Sequence, residues 1–185
     1  MKETGLIFPD PPTLETPRLR LRPFRADDFE PYAAMWAEPA VTRFIGGRPM
    51  PREAAWSRFL RQFGLWRLFG FGYFALEDRA SGAFVGQAGF QDLRREMTPS
   101  IEGTLEAGWV LAPAGQGRGL AEEAMREAIA RADRAHPLPR MTCIVQVSHA
   151  ASLRVAAKLG FAPFAETTYA GDPVVALERP RAAST

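Results

Sequence analysis

The stretch GQGRGLAEEA, residues 115–124, sets three glycines at alternate positions and then runs straight into helix-forming sequence. Glycines spaced this way suit a chain that turns tightly or lets a ligand press against bare backbone. Glu122 and Glu123 follow, and acidic residues favour a helix first turn because they complement its partial positive charge. Two nucleotide signatures fail here. A P-loop requires a Lys-Ser/Thr pair after its second glycine. A dinucleotide fingerprint requires Gly or Ala at its sixth position, which from Gly115 is Leu120 and from Gly117 is Glu122. Two readings remain: a turn that only joins strand to helix, or an anion site. The unpartnered N–H groups at a helix start suit a pyrophosphate.

Outward from the turn, the pattern resolves into alternating strands and helices. Behind it, Ala121, Ala124, Met125, Ala128, Ile129 and Ala132 share one helix face, while Glu122–Arg126 and Glu127–Arg131 pair on the other. Ahead of it lie three strand candidates, GYFALED, AFVGQAGF and TLEAGWVL, the first two joined by the short turn RASG as a hairpin. RLRLRPF alternates leucine with arginine as a half-buried opening strand. Phe29, Tyr32, Ala33 and Trp36 recur at helical spacing behind Asp27 and Asp28. A second helix runs from about Pro51 to Leu68 with the stripe Trp56, Phe59, Leu60, Phe63 and Trp66. Past HPLP come the strand RMTCIVQV and a helix AASLRVAAKL capped by Gly160, then closing strands in FAPFAETTY and PVVALE. The expected order is β-α-α-β-β-β-α-β-α-β-β. It implies an α/β fold with one mixed, mostly antiparallel sheet and helices on both faces.

Totals fit one domain over residues 1–185, with 1–12 as an N-terminal extension and 180–185 as a frayed tail. The apolar share is 46%, the charged share 24% and the formal net charge +2, too small a surplus to suggest nucleic acid. Lone Cys143 sits in a strand-like run and reads as a buried thiol. Two histidines and one cysteine make no metal ligand set. The most apolar run, FGLWRLFGFGYFAL, is interrupted by Arg67 and is too short to span a bilayer. No membrane partner is therefore expected. The N-terminus lacks a signal-peptide pattern, so a cytoplasmic location is expected.

Gln116-Gly117-Arg118-Gly119-Leu120-Ala121 resembles the Gln/Arg-x-x-Gly-x-Gly/Ala signature of the GNAT N-acetyltransferases. Three further stretches resemble the same family in the same order. LETPRLRLRPFRADD is similar to the opening strand and helix start of its branch of ribosomal-protein N-terminal acetyltransferases. EPAVTRFIGG is similar to that branch's turn between the first two helices. AASLRVAAKLGF is similar to its closing helix.

The resemblance implies acetyl-coenzyme A as co-substrate and a primary amine as acceptor, most suitably a protein N-terminus, with a small-molecule amine or a non-catalytic acyl-coenzyme A sensor as alternatives. It assigns the backbone of Trp109, Val110 and Leu111 to the pantetheine arm, and the amides from Gln116 through Gly117, Arg118, Gly119 and Leu120 to Ala121 to the pyrophosphate. The Arg118 side chain is either a phosphate contact or a solvated arginine. His149 stands where relatives often carry asparagine for pantetheine. Ser152 matches a serine placed to protonate the leaving thiolate, or is a first-turn serine without a role. Glu106 is a base or ammonium anchor, or an exposed strand glutamate. Trp56, Phe59, Phe63 and Trp66 are either a core stripe or, because the second helix commonly walls the acceptor site in the family, the source of one or two substrate contacts. The acceptor's identity is not legible, and the chain is expected to be a monomer or homodimer.

Overall fold

Leu19 and Leu21 are fully buried on β2 (Leu19–Arg22). The computed structural model describes residues 10–136 and 139–180, so HPLP falls partly outside them, as do most of the 1–12 extension and the 180–185 tail. Pro180 itself still pairs with Arg140 and is ordered strand. A two-residue strand that the pattern did not announce, β1 (Leu14–Glu15), folds back antiparallel on β2 with Leu14 opposite Leu21.

The sheet continues through β3 (Tyr73–Asp78), β4 (Phe84–Gln91), β5 (Leu105–Leu111), β6 (Arg140–Gln146), β7 (Ala162–Tyr169) and β8 (Asp172–Pro180). Their spatial order is β1-β2-β3-β4-β5-β6-β8-β7. The pairing of β5 with β6 is parallel and the others are antiparallel.

Side chains alternate across this sheet, so its two faces carry separate cores. Leu105, Ala107 and Leu111 of β5 face Leu120, Ala124, Met125 and Ala128 of α4 (Leu120–Ala135). The alanines let α4 lie close to the strands. On the opposite face, Tyr73 and Ala75 pack against Tyr32 and Trp36 of α1 (Phe29–Ala37) and Phe59 and Leu65 of α3 (Arg52–Phe69). A one-turn helix, α2 (Pro39–Thr42), separates α1 from α3 and was not expected. The last helix is α5 (Ala150–Lys158). α3 ends at Gly70, whose φ of 72° is left-handed and lets its N–H reach the Trp66 carbonyl.

α3 is rolled relative to the expected stripe. Its inward side is Ala55, Phe59, Gln62, Leu65 and Trp66, whereas Trp56, Leu60 and Phe63 are exposed. Arg22 also departs from the half-buried alternation. It is buried, donating to both Asp28 oxygens and to Glu77 at 2.7 Å each. Asp28 first, then Glu77, raises the Arg22 pKa above its ordinary value despite the burial. This fully paired buried arginine ties the α1 entrance to β2 and β3.

Candidate active site

β5 and β6 are in register only at Leu105 with Met141 and Glu106 with Thr142. Beyond those pairs the strands diverge, and the Ala107–Leu111 edge of β5 has no strand partner on that side among the described residues. A cleft of about 630 Å³ opens there. It is walled by Trp109 and Val110 of β5, by His149 and Ser152 at the start of α5, and by Phe44 from the turn after α2. The Trp109 indole N–H donates to Ser152 Oγ across the gap at 3.2 Å.

One end of the cleft is the glycine turn. Gly115 is pressed between Leu111 and the Val85 carbonyl, with no room for a side chain. Gly117 and Gly119 have φ of 72° and 75°, the left-handed region that glycine occupies at little cost. No backbone carbonyl among the described residues accepts from the amides of Gly117, Arg118 or Gly119. Leu120 and Ala121 open α4, where helix geometry leaves N–H groups unpaired. The turn therefore presents consecutive free amides at a helix N-terminus, and these fit the pyrophosphate of a coenzyme A.

Arg18 holds the turn from behind. Its Nη1 donates to the Arg118 carbonyl at 2.8 Å and its Nε to Glu123 Oε2 at 2.6 Å, while Thr16 Oγ1 donates to Glu123 Oε1. The Arg118 side chain points away from the cleft, its Nη2 donating to Asp78 Oδ2 at 3.2 Å. The structure brings the Arg118 backbone into the site and leaves its guanidinium outside. The cations on the cleft wall are instead Arg154 and Lys158, which the sequence reading did not single out.

Glu106 is buried at 4% exposure rather than sitting on an open strand face. Arg95 Nε donates to Oε2 and Nη2 to Oε1, both at 2.7 Å, and Gln91 Nε2 donates to Oε1 at 2.9 Å. The Arg95 guanidinium in turn lies over the Tyr169 ring, 4.5 Å from its centroid. Tyr73 stands on the same sheet face, and its ring extends across Gly89 so far that a Cβ on Gly108 would lie 2.0 Å from its hydroxyl. Burial first, and the Glu106 charge second, raise the Tyr73 phenol well above its ordinary pKa.

The His149 ring stacks on Phe44 with centroids 4.2 Å apart, and burial lowers its pKa. Cys143 is 1% exposed, its thiol pushed up by burial and then by Glu106. The four α3 aromatics do not meet at the cleft. Phe59 is core, and the Trp66 indole N–H is taken by the Tyr73 carbonyl at 2.9 Å. Phe63 and Trp66 line a separate hollow beside Phe24, and Trp56 is exposed on the outer side.

The sequence profile of the acetyltransferase (GNAT) domain family matches residues 18–162. The chain belongs to this family and is an acetyltransferase. Solved structures share the fold. A protein described as a GNAT-family acetyltransferase from Bordetella pertussis is 35% identical, with 91% of this chain and 99% of that one covered at a TM-score of 0.81. An acetyltransferase from Agrobacterium tumefaciens is 29% identical over 92% and 96%, TM-score 0.76. The ribosomal-protein-S5-alanine acetyltransferase of Vibrio fischeri shares the fold at 17% identity over 95% and 100%, TM-score 0.72. Among the described residues no helix is long and apolar enough to cross a membrane.

Proposed function

We propose that the protein transfers the acetyl group of acetyl-coenzyme A to a primary amine by direct attack, with a peptide or protein N-terminal α-amine as acceptor. The observation that carries this reading is the unpaired β5 edge leading straight to the free amides of the glycine turn. Backbone groups at Trp109, Val110 and Leu111 would pair with the pantetheine arm as an added strand would. Amides from Gly117 to Ala121 would hold the pyrophosphate, and Gln116 would support the turn by donating to the Leu111 carbonyl at 3.0 Å. His149 would flank the arm from α5.

Acetyl-coenzyme A supplies an acyl group activated as a thioester. Ser152 Oγ already accepts from Trp109, so its own proton is free to point into the cleft and reach a leaving thiolate. Glu106 is suited to anchoring charge near the amine: a proton arriving on it would have to displace a hydrogen bond from Arg95 or share an oxygen with one. The Tyr73 phenol stays protonated at neutral pH. With Glu106 held in this way, the acceptor would arrive already deprotonated, which favours an α-amine over a lysine. Cys143 is too buried to relay an acyl group.

The test is thiol release from acetyl-coenzyme A against peptides, amino acids and polyamines, beside calorimetry with coenzyme A. Release with α-amine peptides is expected. Tight coenzyme A binding without release from any amine would make the chain a sensor and end the transfer reading.

A further inference from the structure

Five large apolar side chains stand exposed among the described residues, and four of them, Trp56, Leu60, Phe63 and Leu68, belong to α3 at between 42% and 66% exposure. At about 3.6 residues per turn, Trp56, Leu60 and Phe63 share one stripe of the helix with Glu53, Gly64 and Arg67. Every residue of that stripe is exposed. Trp56 is held in place: its ring stands edge-on to Phe29 with centroids 4.7 Å apart and stacks on Phe59 at 5.8 Å. Rigid tryptophans are enriched among the anchors of protein–protein contacts.

Gly64 is the odd residue in the stripe. Glycine inside a helix is destabilising relative to alanine, and nothing within the chain requires it here. Its backbone is not left-handed, and a Cβ at this position meets no atom within 4 Å. Glu53 and Arg67, at the two ends of the stripe, have no ion-pair partner among the described residues. A second α3 laid antiparallel to the first, with Leu60 on the two-fold axis, answers all three features. Leu60 then meets Leu60 of the second copy. Trp56, four residues before the axis, stands level with Gly64, four after it, where the missing side chain leaves room for the indole. Glu53, seven before the axis, stands level with Arg67, seven after it. The symmetry repeats both pairings at the other end.

We infer that the protein self-associates as a two-fold dimer, α3 packing antiparallel on α3 of a second copy. The inference is independent of the acetyl-transfer reading. A second copy is the occupant because the stripe complements itself in both size and charge about one residue. One helix-on-helix contact is small against the roughly 800 Å² per partner of a standard interface, so the dimer is reversible and strengthens with concentration. No residue of the stripe lines the cleft between β5 and α5. Coenzyme A affinity should therefore be the same in monomer and dimer.

Sedimentation velocity of the intact protein from about 1 to 200 µM tests this, and a monomer–dimer equilibrium is expected. Glu53→Arg and Arg67→Glu should each weaken the dimer at least about tenfold, because each sets like charges level at both ends. Mixed in equal amounts, the two variants should recover association to within about threefold of the parent, since each supplies the charge that the other lacks. Gly64→Leu should also weaken the dimer at least about tenfold although it adds apolar surface, with thermal unfolding showing the variant folded. A protein that stays monomeric up to about 200 µM overturns the inference and leaves the face to a different occupant. A dimer that the single charge reversals leave intact, or that mixing them fails to restore, overturns it as well. So does a Gly64→Leu dimer as tight as the parent's, which would be apolar adhesion without this register.

Discussion

Arg95 and Glu106 meet in a fork-to-fork ion pair, two 2.7 Å hydrogen bonds between side chains only 13% and 5% exposed. Removing one partner of such a pair leaves the other charge buried and unpaired, which costs about 3–5 kcal/mol. Glu106→Gln should therefore lower the melting temperature by roughly 6–20 °C, by the size scaling for a chain of this length. Replacing both, Arg95→Met with Glu106→Leu, should recover most of that stability without recovering activity. A Glu106→Gln protein as stable as the parent in thermal unfolding would show that the pair carries no stability.

The glycine turn predicts a dissection of shape from charge. A Cβ at Gly117 meets no atom within 4 Å, whereas one at Gly119 heads toward the Arg18 guanidinium at 3.7 Å. Gly119→Asp would thus point its carboxylate at Arg18 and not into the anion site. Gly117→Asp is the sharper probe, because it adds charge at the cleft without a clash. It should weaken coenzyme A at least about tenfold, more at low ionic strength, while Gly117→Ala pays mainly the left-handed backbone cost of about 1–2 kcal/mol in stability. Equal coenzyme A affinities for the two variants in calorimetry would remove the phosphate from this turn.

The strand and helix order was legible because the alternation is clean and the stops at Gly70 and Gly160 are glycines in left-handed backbone. What the sequence hid is long-range. The divergence of β5 from β6 depends on where two strands 35 residues apart stop pairing. Arg118 finds Asp78 forty positions away, and Glu106 finds Arg95 on an irregular segment that no periodicity flags. α3 misled for a different reason. It carries aromatics on both sides, so spacing could not choose which side faces the sheet, and the buried side took Ala55 and Gln62 in place of Trp56 and Phe63.

Ser152 and Trp109 can be separated kinetically. Loss of a positioned proton donor commonly costs a hundredfold or more, so Ser152→Ala should lower kcat by roughly a hundredfold with KM for acetyl-coenzyme A changed less than about threefold. Trp109→Phe keeps the hydroxyl and should cost far less. Comparable losses in both variants would make the hydrogen bond, and not the serine proton, the important feature.

Both histidines have pKa values lowered by burial, His136 also by Arg131. Below the ordinary value of 6.5 the unfolded chain binds protons that the folded chain refuses. Stability therefore falls as pH drops through 6.5 and is fully present above it. Replacing His136 and His149 together by glutamine should flatten the stability profile between about pH 6.5 and 5, where ordinary carboxylates do not yet titrate. Denaturant unfolding at several pH values gives the slope directly, and an undiminished slope in the double variant would assign it to other groups.

The last prediction follows from the grip of Arg95 on Glu106, which leaves the amine to shed its own proton. An α-amine has a reference pKa of about 7.7–8.0 and a lysine about 10.4, so at pH 7 roughly a tenth of the first and under a thousandth of the second is free base. α-Amines should therefore outperform ε-amines of matched peptides by at least about tenfold at pH 7. The pH profiles should differ in shape as well. With the α-amine, kcat/KM should climb about tenfold per unit and level near pH 8, whereas with the ε-amine it should still be rising near pH 10. The advantage should shrink steadily as pH rises and the lysine loses its proton. Equal rates on the two amines at pH 7 would mean that a base in the site strips the proton, and would return Glu106 to that role.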